Sequence, residues 1–117
     1  MPHIVLEYSC NLGGTFEPRK VLRTLHDAVG ATEGFELDRI KSRAVELGTY
    51  LVGRDAKAAL VHATVVFSVG RPAAVRKELG RRLLDLLTAG TRGAGSGCSI
   101  SRSVEIRQFA EQMYLSS

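Results

Sequence analysis

Tryptophan is absent from the chain, cysteine occurs only twice, and four Phe and three Tyr are the only other aromatic rings in 117 residues. Cys10 and Cys98 are too few for a disulfide scaffold and show no CxxC or Cys/His spacing, so reduced structural thiols are expected and no metal site is suggested. No stretch approaches the roughly 20 apolar residues that span a bilayer, and the N-terminus has no basic region leading into an apolar core and cleavage site. The expectation is a cytoplasmic protein without a membrane partner. The sparse rings also argue against nucleic acid, because none lies in an aromatic-basic motif that would stack bases.

The residues present describe an ordinary globular protein. Hydrophobic residues make up 44% and charged residues 24%, richer in apolar residues than a disordered chain. The length fits one domain over residues 1–117, since a second core would be too small. A core of this size leaves a large surface, which makes sharing apolar faces between subunits a plausible route to further burial. Sixteen Lys and Arg against twelve Asp and Glu give a net charge of +4, a modest field suited to a small anionic substrate as well as to other anionic partners.

Periodicity divides the chain into two similar halves. Ile4, Leu6 and Tyr8 alternate with His3, Val5, Glu7 and Ser9, which predicts a strand at the very N-terminus. After the Asn11-Leu12-Gly13-Gly14 turn, Pro18 suits a first helical turn. Val21, Leu22, Leu25, Ala28 and Val29 then recur at helical spacing until Gly30. Alternation resumes over Ile40–Leu47, with Lys41, Arg43, Val45 and Leu47 on one face. In the second half, Leu60–Val69 is rich in β-branched residues and groups Val61, Ala63, Val65, Phe67 and Val69. Gly70-Arg71-Pro72 ends that strand and opens a helix whose apolar stripe is Val75, Leu79, Leu83 and Leu86. The stretch from Gly90 to Gly97 reads as a flexible glycine-rich loop, and Ile100–Phe109 as the last strand.

The organisation is a strand-helix-strand unit written twice. Right-handed parallel crossovers allow both units to join in one four-stranded sheet with two helices on one face, an α/β (α+β) architecture. The other face then needs cover from a second subunit or from water.

Met1-Pro2-His3 is the unusual chemical feature. A strand starting at residue 3 would hold Pro2 firmly instead of leaving it in a frayed tail. Removal of Met1 would expose a secondary amine. Free α-amino groups titrate near about 7.7 to 8.0, and burial or nearby cations lower that value toward the range a general base needs. While Met1 remains attached, Pro2 nitrogen is an amide without a basic lone pair. Pro2 has a plainer reading as well, since a proline at a strand start costs no ladder hydrogen bond. His3 fits packing or hydrogen bonding better than proton transfer, and His26 and His62 lack nearby sequence partners, so neither is assigned a catalytic role. Arg71, between Gly70 and Pro72 at a strand-to-helix turn, has either a carboxylate to bind or only solvent to face. Lys41 and Arg43 share a strand face, where they either bind a second carboxylate or serve as ordinary surface charges.

The segments MPHIVLEYSCNL, FELDRIKSRA, ALVHATVVFSVGRP and SVEIRQF, in order from Pro2 to about Phe109, resemble the 5-carboxymethyl-2-hydroxymuconate isomerase family of the tautomerase superfamily. The resemblance implies a tautomerase-like double β-α-β fold, a homotrimer, no cofactor, and isomerisation of an unsaturated hydroxy/oxo dicarboxylate or tricarboxylate in aromatic-acid degradation. It also implies Pro2 as the catalytic base, with Arg71, Arg43 and Lys41 as substrate-binding cations. Lys41 stands where the family pattern has arginine, which retains charge but loses the bidentate fork. The alternatives are another proline-dependent tautomerase, decarboxylase or hydratase of an unsaturated oxo acid, or a binding or assembly module for an anionic partner.

Overall fold

The computed structural model describes residues 2–95 and 97–117. Four strands, β1 (His3–Ser9), β2 (Lys41–Leu47), β3 (Ala59–Ser68) and β4 (Ile100–Phe109), form one sheet in the order β2-β1-β3-β4. The pairs β1/β2 and β3/β4 are parallel, and the two halves meet where β1 and β3 run antiparallel. Helices α1 (Pro18–Gly30) and α2 (Ala73–Gly90) provide the two crossovers. The repeated unit read from the sequence is therefore present, as a mixed sheet with both helices on one face.

Strand alternation explains the core. Ile4 and Leu6 of β1 and Ala59, Val61, Ala63, Val65 and Phe67 of β3 are essentially inaccessible and meet Val21, Leu25, Ala28 and Val29 of α1 and Leu79, Leu83 and Leu87 of α2. Burying these side chains is the main favourable term in folding. The apolar stripe of α2 departs from expectation at both ends. Val75 is exposed, and Leu87, fully buried, takes the core place expected of the half-buried Leu86. Leu79, Leu83 and Leu87 form a strict i, i+4 row, the ridge that α2 lays on the sheet. Val69 likewise falls outside β3 and is exposed. The helices touch where a side chain on Gly90 would meet Val21 Cγ2 at 2.9 Å, so the close approach depends on glycine.

The segment expected to be a flexible loop is tied down on its first half. Thr91 is fully buried, Ala94 N–H donates to Thr91 O, and Gly95 N–H donates to Leu12 O at 2.8 Å. The Gly90–Gly97 stretch includes Ser96, which lies outside the described residues. On the sheet face away from the helices, Lys41, Arg43 and Val45 of β2 and Ser101, Ser103 and Arg107 of β4 are exposed, while His3, Val5 and Glu7 are half-buried. Cys10 and Cys98 are free thiols. No helix among the described residues is long and apolar enough to cross a membrane.

Candidate active site

Antiparallel pairing of β1 with β3 brings the start of β1 beside the end of β3, and parallel pairing brings the start of β2 there as well. Pro2, Lys41, Arg43 and Arg71 consequently gather at one end of the sheet, although 69 positions separate Pro2 from Arg71 in sequence. Pro2 is fully buried and its carbonyl accepts a hydrogen bond from Lys41 N–H at 3.1 Å, so the β1/β2 ladder extends through it. Met1, whose removal would free the Pro2 amine, lies outside the described residues.

The cations divide between the two faces of the sheet. Arg71 lies on the helix side, its guanidinium carbon 3.7 Å from the centroid of the Phe35 ring and 5.3 Å from that of Phe67. Its Nη2 donates to Gly34 O at 2.8 Å, and its own carbonyl accepts from Arg76 Nε at 3.2 Å. Gly34 has φ of +92°, and a β-carbon there would stand 3.1 Å from Arg71 Nη2. Glycine thus permits both the turn and the close approach of the guanidinium. A planar cation stacked on aromatic faces is held in orientation, and only one of its five N–H donors is used by Gly34.

Lys41 and Arg43 lie on the opposite face, level with His3 and Val5 in the ladder. Arg43 Nη1 is 3.3 Å from His3 Nδ1, and His3 Nε2 is 2.9 Å from the Tyr114 hydroxyl. Burial, then the charges of Arg43 and Lys41, hold the His3 imidazole below its ordinary pKa. His3 is thus a hydrogen-bonding residue, as its strand position suggested. His26 pairs with Ser42 at 2.6 Å, and His62 pairs with Ser103 at 2.6 Å with Glu105 3.6 Å away.

Sequence reasoning did not anticipate the Phe35/Phe67 platform, the Gly34 carbonyl or Tyr114. Phe35 precedes the predicted strand and Tyr114 follows the last one, so neither falls in a periodic segment. The available signal was the Gly34-Phe35 pair, the one aromatic in the connection between α1 and β2. Among the described residues, no group of three or more His, Cys, Asp or Glu side chains is disposed to hold a metal ion.

The arrangement sets cationic side chains on both faces of the sheet near a buried proline at a strand terminus. Its wider relationships are specific. The family profile for 5-carboxymethyl-2-hydroxymuconate isomerase matches residues 2–117. The chain belongs to that family. It is therefore an isomerase of the tautomerase superfamily. The crystal structure of a 5-carboxymethyl-2-hydroxymuconate isomerase from Deinococcus radiodurans R1 superposes with a TM-score of 0.88 at 27% identity, covering 99% of this chain and 88% of the other. A 5-carboxymethyl-2-hydroxymuconate delta-isomerase gives 0.85 at 20% identity, over 100% and 87% of the two chains. A fused 4-OT protein described as a symmetric trimer shares the fold at 0.76 and 18% identity, over 94% and 87%. No curated protein matches the chain by sequence.

Proposed function

We propose that this isomerase converts 5-carboxymethyl-2-hydroxymuconate, or a closely similar unsaturated hydroxy diacid or triacid, from enol to keto form, in the cytoplasm and within aromatic-acid degradation. Pro2, freed by removal of Met1, is the base. Its amine takes the enol proton, the electron pair delocalises over the conjugated chain as a dienolate, and the proton returns at carbon to give the 2-oxo-3-ene product. Arg71 offers N–H donors to a carboxylate and to the oxygen on which charge develops. No cofactor is required for this transfer.

The observation that carries the reading is the placement of Pro2. It lies buried at the terminus of a central strand, anchored through its carbonyl, with Arg71 at the same end and on the same side of the sheet. A terminal amine so held is a preorganised base, because the fold and not a mobile tail sets its direction.

Lys41 and Arg43 face away from Arg71 within one protomer, which supports a homotrimer in which β2 of one subunit meets the Pro2 end of another. Related structures described as symmetric trimers, and the incompletely covered sheet face, favour the same assembly. Lysine in place of the family arginine favours a second reading, a proline-dependent tautomerase of another unsaturated oxo acid.

The test is ultraviolet-monitored ketonisation of 5-carboxymethyl-2-hydroxymuconate by protein whose loss of Met1 is verified by intact mass. Catalysed conversion that falls about 10²- to 10⁴-fold in Pro2→Ala supports the reading. Unaltered turnover in Pro2→Ala removes the proline mechanism, and no acceleration by the processed protein removes the substrate assignment.

A further inference from the structure

One transverse row of the sheet crosses the Pro2 end. The ladder pairs His3 with Lys41 and with Val66, and Phe67 with Gln108. One step beyond His3, Pro2 therefore stands between Ile40 and Phe67, and Gln108 follows Phe67 on β4. Ile40, Pro2 and Phe67 are buried, and strand alternation puts all four residues on the helix-covered face. Arg71 stacks above Phe67 within this row.

Gln108 does not fit an apolar row. Its Nε2 is buried and has no hydrogen-bond partner among the described residues. A buried donor without an acceptor is costly, and the neighbouring residues on the same face of β4, Val104 and Ile106, are apolar and pack against the core. An amide kept there calls for an acceptor that the described residues of this one chain do not supply. Pro2 lies about 10 Å away, two strand spacings along the row, with Arg71 in between.

We propose that Gln108 is a specificity-determining residue of this site, its side-chain amide donating to the carboxylate of a 2-oxo or enol diacid at the end remote from the reacting enol. The proposal rests on the acid-isomerase reading above and adds the residue that distinguishes a diacid from a monoacid. Arg71 supplies charge to either kind of acid, and Gln108 supplies a neutral, directional donor that a monoacid leaves unsatisfied.

The experiment uses the full chain with Met1 removed and two stable probes, 2-oxoadipate and the monoacid 2-oxohexanoate. Calorimetric titration should show 2-oxoadipate binding weakened at least about tenfold in Gln108→Leu, with the monoacid binding equally to both proteins. Gln108→Glu, which presents only acceptors, should bind the diacid more weakly still. In the unaltered protein the Gln108 side-chain amide resonance should move on addition of 2-oxoadipate, a readout that needs no variant. Equal diacid binding by wild type and Gln108→Leu, full binding by Gln108→Glu, or no binding by the wild type would each overturn the proposal. Ketonisation by Pro2 is read separately. Turnover with diacid binding indifferent to Gln108 discards this inference alone, and Gln108-dependent binding without turnover discards the isomerisation mechanism alone.

Discussion

The Tyr114 hydroxyl lies 2.9 Å from His3 Nε2, joining the two ends of the chain across 111 positions. The Tyr114 ring stacks on Phe109 at 5.4 Å between centroids, which places the phenol at the Pro2 end of the sheet. Arg43 completes the arrangement from β2, its Nη1 3.3 Å from His3 Nδ1. A guanidinium can only donate, so Nδ1 accepts, the imidazole is neutral, and its proton sits on Nε2 facing Tyr114.

A pH dependence follows from this geometry. Among the described residues, the charged and titratable groups facing His3 include Arg43 and Lys41 from β2 and Tyr114 from the C-terminal segment. Burial and the two cations depress the native pKa below the ordinary value of about 6.5. Between that value and the lower native one, the unfolded chain binds a proton that the native chain does not, so stability falls as pH drops through the window. Above about pH 6.5 His3 contributes no slope. Nuclear magnetic resonance titration of His3 should give a midpoint below the ordinary value, and Arg43→Gln should move it upward. A midpoint insensitive to that change would show that Arg43 does not set the protonation state.

Arg71 is expected to act through orientation as well as charge. Arg71→Lys keeps the charge but loses the planar fork and the stacking on Phe35 and Phe67, so kcat/KM should fall by about 10- to 100-fold. Gly34→Ala should reproduce part of that loss, because the new β-carbon crowds Nη2 at 3.1 Å and the backbone φ of +92° is unfavourable for alanine. If Arg71→Lys keeps full activity, charge alone is sufficient and the stacked geometry is not used.

Local signals in the sequence reached the elements more readily than the site. Pro18 and Gly30 bound α1 as expected, because a proline without an N–H fits the first helical turn and a glycine weakens the last. Ile100–Phe109 is β4 residue for residue. The stripe on α2 was displaced by one position, from Leu86 to Leu87, because the inclination of a helix on its sheet is decided by tertiary packing. Glycine content suggested mobility after α2, yet the hydrogen bond from Gly95 to Leu12 is nonlocal and leaves no periodic trace. Pro2, Lys41, Arg43 and Arg71 were legible as residue types, while their gathering at one end of the sheet comes from the strand pairings. Their division between two faces depends on Arg71 finding Phe35 and Gly34, contacts that sequence spacing does not encode.

Thr91 offers a test of how the segment after α2 is anchored. Its hydroxyl donates to Leu87 O at 2.8 Å and accepts from Arg102 Nε at 2.6 Å, joining the end of α2 to β4 in a fully buried position. Thr91→Val conserves shape but leaves Arg102 Nε without this acceptor, and should cost about 1–3 kcal/mol in urea unfolding. Combined with Arg102→Met the loss should be less than additive, since the second change removes the stranded donor. Strict additivity would mean that the two side chains do not share an interaction.

Lys41 decides between the two substrate readings. It is exposed beside His3, on the face where a neighbouring subunit would present its Pro2 end in the proposed trimer. An ammonium meets a carboxylate as a point charge, whereas a guanidinium at the same place makes two parallel hydrogen bonds. For a substrate whose carboxylate was matched to the family arginine, Lys41→Arg should lower KM severalfold with kcat nearly unchanged, and Lys41→Ala should raise KM about tenfold. For an enzyme adapted to a different oxo acid, Lys41→Arg should instead raise KM for that acid, because the longer planar head displaces a carboxylate already placed for lysine. Steady-state kinetics of both variants on 5-carboxymethyl-2-hydroxymuconate and on a shorter unsaturated oxo acid distinguish the two. KM values that do not respond to either substitution would remove Lys41 from the site, leaving Arg43 as the cation that β2 contributes.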